Sequence, residues 1–138
     1  MRQLYRLLIT IPLFVLVLAA CSATSAAPVA SEPAVDEARA TAIATQAFDG
    51  LNAGDYEAWT AAWSPTMKDA IKESDFLAFR DQVLAAKGRF VAIRGAEVGS
   101  RNPGAYRWTF SVEFERGTAS FAFGFKGDGP EVEGVFYE

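Results

Sequence analysis

From Tyr106 to Phe114 every second residue is large and apolar: Tyr106, Trp108, Phe110, Val112 and Phe114 alternate with Arg107, Thr109, Ser111 and Glu113. A period of two predicts an antiparallel strand with one buried and one wet face. Phe121, Phe123 and Phe125 repeat the pattern after a turn at Arg116-Gly117, with Ser120, Ala122 and Gly124 on the opposite side. Such an aromatic hairpin face needs a cover, because two strands alone are marginal in water. Phe90 to Val98 reads as a strand before the hairpin, joined to it by a turn at Ser100–Gly104. The turn residues Gly127–Pro130 lead to a last strand, Glu131 to Tyr137.

The cover lies upstream, where the period is helical. Asp36 is placed to cap a helix whose apolar positions Ile43, Ala44, Ala47, Phe48 and Leu51 recur three and four apart, with Gly54 as its exit. Asp55 opens a second helix, on which Tyr56, Trp59 and Trp63 share a face. Ser64-Pro65 stops it and is suited to cap a short helix through Ile71. Ser74 opens a third helix with a buried stripe of Phe76, Phe79, Val83 and Leu84, closed by Gly88. Helices followed by strands define an α+β class: three N-terminal helices packed on the concave face of a curved four-stranded antiparallel sheet.

The first twenty residues follow a different logic. Arg2 and Arg6 precede an uncharged run, Leu7 to Ala20, too short to span a bilayer as a helix and of signal-peptide length. Leu18-Ala19-Ala20-Cys21 resembles the bacterial lipobox, which implies cleavage before Cys21 and a diacylglyceryl thioether on its thiol. The alternatives are a signal anchor or ordinary secretory cleavage near Ala27, with an incidental cysteine. Ser22 to Pro33 is rich in Ala, Ser, Thr and Pro and has no apolar face, as expected of a flexible tether of up to about 40 Å. The expected layout is a signal peptide at 1–20, lipidated cysteine and tether at 21–34, and the folded domain at 35–138. Lipidation places the protein on the bacterial cell envelope, facing outside the cytoplasm; Ser22 after the cysteine favours the outer membrane in a host with two.

Composition narrows the chemistry. The chain has no histidine and a single cysteine. These counts exclude histidine-based triads, the usual zinc sets and an internal disulfide. A formal net charge of −4 argues against nucleic acid as a partner. Asp49, Asp55 and Glu57 cluster near a helix junction, but capping accounts for Asp55 and Glu57 without a metal. Neither metal nor cofactor is expected.

Leu51 to Ile71, LNAGDYEAWTAAWSPTMKDAI, is similar to the N-terminal helices of the nuclear-transport-factor-2-like, or cystatin-like, superfamily. Within it, the chain most resembles a domain family of unknown function found in bacterial lipoproteins. The resemblance implies a cone-shaped fold with any site between sheet and helices. It also admits an isomerase or cyclase, which needs an inward carboxylate or tyrosine; Glu113 and Glu115 instead fall on the outer face with Arg107. Tyr106, Trp108, Phe110, Tyr137, Trp59 and Trp63 are the candidate pocket for a small apolar ligand, although core packing demands the same residue types. The expected function is a non-catalytic domain binding a small molecule or an envelope protein. The alternatives are a structural module dimerising through Ser120, Ala122 and Gly124, or an isomerase-type enzyme.

Overall fold

A computed structural model describes residues 33–102, 104–127 and 129–137. Among these described residues four helices come first: α1 (Glu37–Ala53), α2 (Tyr56–Trp59), α3 (Pro65–Ala70) and α4 (Glu73–Lys87). Four strands follow: β1 (Phe90–Asn102), β2 (Ala105–Phe114), β3 (Gly117–Lys126) and β4 (Val132–Tyr137). They form one antiparallel sheet in sequence order, and the class is α+β with the helices preceding a curved sheet.

Local signals set most helix ends. The Asp36 carboxylate accepts the Arg39 N–H at 2.8 Å, and Asp55 does the same for Ala58 at 3.0 Å. Ser64 accepts the Met67 N–H at 3.3 Å, with Pro65 in the first turn of α3. Gly54 adopts a left-handed φ of 72° and returns its N–H to the last turn of α1.

Two helix expectations are corrected. The second helix does not reach Trp63: α2 is a single turn, and the Thr60 hydroxyl donates to the Tyr56 carbonyl at 2.8 Å as the helix ends. Beyond it, Trp63 makes a parallel bridge to Val132, with the Ser64 N–H on the Val132 carbonyl (3.0 Å) and the Val132 N–H on the Ala62 carbonyl (2.8 Å). Pairing with the sheet replaces helix at this point. The helix assigned to Ser74 begins one residue earlier, because Asp75 reaches back to accept the Lys72 N–H at 3.0 Å. The helical layer therefore has four segments rather than three.

The strands depart from expectation in length. β2 and β3 pair without a slip from Ala105↔Lys126 to Phe114↔Gly117. β1 continues past Val98 to Asn102, and its register with β2 shifts at three places. Each irregularity bends and twists the strand locally, which lets the sheet wrap the helices. β4 starts at Val132, one residue later than the turn signal implied.

The core lies between helices and sheet. Phe48 of α1 is its centre, with its ring 4.9 Å from Phe121, 5.2 Å from Phe90 and 5.8 Å from Trp59. Burial of each such ring contributes about 1.5–3 kcal/mol. Asn52 joins α1 to β1, donating to the Phe90 carbonyl at 3.0 Å and accepting the Phe90 N–H at 2.9 Å.

Candidate functional site

The structure separates the six aromatic residues singled out in the sequence. β2 turns Tyr106, Trp108 and Phe110 inward, and all three are buried. Tyr106 and Trp108 use their polar ends on one backbone residue. The Tyr106 hydroxyl accepts the Val35 N–H at 2.9 Å, and the Trp108 indole donates to the Val35 carbonyl at 3.1 Å. Val35 itself is fully buried. Burial pushes the Tyr106 phenol above its ordinary value, and the Val35 hydrogen bond opposes this. Phe110 packs edge-on against Phe123 at 5.4 Å. Tyr137 stands apart, 55% exposed, with its ring 5.0 Å from Phe121.

Trp59 and Trp63 do border a cavity. A half-open cleft of about 290 Å³ lies among Trp59, Trp63, Ile71, Asp75, Phe76, Phe79 and Val135. Its walls are built on α2, the bridge to Val132, the start of α4 and one residue of β4. The rings form a connected set: Trp59 lies 5.9 Å from Trp63, 5.8 Å from Phe76 and 5.9 Å from Phe79. The Trp63 indole nitrogen is buried and has no hydrogen-bond partner among the described residues. An unpaired buried donor costs roughly 1–3 kcal/mol. Asp75 is the single ionisable side chain on the lining, and its Oδ2 accepts the Lys72 N–H.

The periodicity of α4 already placed Phe76 and Phe79 on a buried stripe, so their presence was readable in part. Ile71 and Val135 carried no such signal, since a loop and the last strand meet here only through the tertiary fold.

The outer face of the sheet is polar but not bare. Glu113 pairs with Arg94, and the exposed Glu115 accepts the Arg89 N–H at 3.0 Å, so neither acid joins the core between helices and sheet. The Glu133 carboxylate lies 2.9 Å from the Lys126 ammonium, whose hydrogen bond lowers its pKa below the usual carboxylate value. Phe136 lies across Gly124 and Gly134, and the Arg107 guanidinium sits 4.2 Å above its ring. Ala122, expected on an open strip of small residues, is fully buried. The strip of Ser120, Ala122 and Gly124 is thus partly roofed by the chain's own Phe136.

A larger depression of about 710 Å³ runs along the outer side of α1, lined mainly by small residues such as Ala38, Thr41, Ala42 and Thr45. It is shallow, and no charged groups other than Asp49 and Asp55 border it. Among the described residues no group of three or more His, Cys, Asp or Glu is placed to hold a metal ion. Among them, too, no helix is long and apolar enough to cross a membrane. Cys21, the expected signal segment and most of the expected tether lie outside the described residues.

No curated protein matches the chain. The family described as "Protein of unknown function (DUF3887)" matches residues 44–130, from within α1 to the turn before β4. With well over half of its length covered by that match, the chain belongs to the DUF3887 family.

Proposed function

We propose that this protein is a lipoprotein of the bacterial cell envelope, held at the membrane by a lipidated Cys21, whose α+β domain is a non-catalytic receptor for a small apolar molecule. The observation that carries the reading is the cleft walled by Trp59, Trp63, Phe76 and Phe79. Its volume, about 290 Å³, suits a ligand of one ring with a short substituent. Apolar walls with few polar groups are the usual make-up of a binding site. Catalysis is disfavoured because the one ionisable side chain on the lining, Asp75, is exposed and already caps α4. The helices-then-sheet order accords with the nuclear-transport-factor-2-like superfamily, and the basic start, apolar run and Leu18–Cys21 support export with lipidation.

The test is titration of the full chain, purified in an uncharged maltoside detergent, with single-ring probes: benzyl alcohol, phenylacetate and benzyltrimethylammonium. Saturable binding is expected for at least one. It should move the tryptophan side-chain NMR signals of Trp59 and Trp63 and leave that of Trp108 unmoved. Phe79→Ala, which trims a half-buried wall, should weaken that binding at least fivefold. Failure of all three probes to saturate, or shifts spread evenly over the three tryptophans, would overturn the cleft as a receptor site.

A further inference from the structure

The cleft combines two features that point to one ligand charge. Aromatic faces present the negative side of their quadrupole to whatever enters, which favours a cation in contact with them. Trp59, Trp63, Phe76 and Phe79 supply four aromatic rings to the walls of one space. The single ionisable side chain on the same lining is a carboxylate, Asp75.

The surrounding basic groups leave this charge in place. Among the described residues Asp75 is in no ion pair with a lysine or arginine. Lys72 meets it through the backbone N–H, and the Lys72 side chain is exposed. Arg80, further along α4, is committed elsewhere: its guanidinium donates to the Leu51 carbonyl at 2.9 Å and to the Asn52 carbonyl at 3.4 Å. The amino end of α4 adds a partial positive charge, roughly half an elementary unit, but Glu73 shares the first turn with Asp75. The two carboxylates outweigh it.

From these observations we propose that the cleft selects an organic cation, an ammonium or quaternary ammonium group joined to a small apolar body. The apolar body packs against the wall that Trp59 and Phe79 share, and the cationic head lies at the mouth near Asp75. This rests on the cleft being a receptor site, and it adds the charge of the ligand. A neutral or anionic ring of the same size gains the packing without the electrostatic contribution.

The experiment compares three water-soluble probes of similar shape by isothermal titration into the full chain in maltoside micelles, with protein-free micelles as the blank. Benzyltrimethylammonium is expected to bind at least tenfold more tightly than benzyl alcohol, and phenylacetate more weakly than either. Asp75→Asn keeps an oxygen for the Lys72 N–H, so α4 keeps its start. That variant should bring the cation to within about threefold of benzyl alcohol and leave benzyl alcohol within twofold of its wild-type affinity. Equal binding of the cation and benzyl alcohol to the wild type would overturn the charge selection and leave the receptor reading standing. A cation preference that survives Asp75→Asn would overturn the assignment to Asp75. If none of the probes saturates, both readings fall together.

Discussion

A single valine ties the segment ahead of α1 to the sheet. Residues two apart on a strand point to the same face, about 6.6 Å from one another. Tyr106 and Trp108 stand at that spacing on β2 and hold Val35 by its N–H and C=O. Tyr106→Phe removes the acceptor and leaves the Val35 N–H buried without a partner. The variant is expected to lose about 1–3 kcal/mol, read as a lower urea midpoint with an unchanged slope. The same residue gives the fold an alkaline limit. Burial raises the folded Tyr106 pKa, so the folded state keeps a proton that the unfolded chain begins to release near pH 10. Its stabilising contribution is complete below that pH and lost as the pH climbs through the folded value. Between pH 9.5 and 11 the stability of Tyr106→Phe should therefore fall less steeply than that of the wild type. The alternation in the sequence placed Tyr106 and Trp108 inward, but their partner lies 71 and 73 positions away. No local pattern connects residues so distant.

At the level of elements, the junction of α1 and α2 decides the shape of the cleft. A Cβ built on Gly50 would stand 2.6 Å from the Trp59 backbone nitrogen and 3.0 Å from the Ala58 carbonyl carbon. Backbone cannot swing aside as a flexible side chain can, so Gly50→Ala forces α2 away from α1. A loss of about 3 kcal/mol is expected in urea unfolding, at the upper end of ordinary overpacking, together with weakened probe binding because Trp59 forms one wall. Unchanged stability would show that the junction yields. Caps were legible because they are local: Asp36, Asp55, Ser64 and Gly54 act within a few residues of themselves. The ends of α2 and β1 were not. Trp63 leaves the helix to meet Val132, and Arg101 and Asn102 join β1 because Tyr106 and Ala105 lie opposite them. Pairing partners, rather than propensity, set both limits.

For the whole molecule, the order of helices and strands was readable because the hydrophobic period changes once, after Gly88. The cleft was less so, since it needs Ile71 and Val135 brought beside α4 from separate stretches of chain. The proposed anchor makes a prediction at this scale. Cys21→Ala should abolish the thioether lipid by mass spectrometry and move the protein out of the membrane fraction. The thermal midpoint of the domain should stay within about 1 °C, because its core is built from residues between Val35 and Val132. A wild-type protein without lipid mass would refute the anchor. Held in this way, the Val35 clamp acquires a mechanical meaning. Among the described residues, a pull on the chain ahead of Val35 meets two hydrogen bonds to β2, an interior strand zipped to β1 on one side and β3 on the other. Load on the anchor therefore reaches the sheet at Val35 before it reaches the amino end of α1 at Glu37.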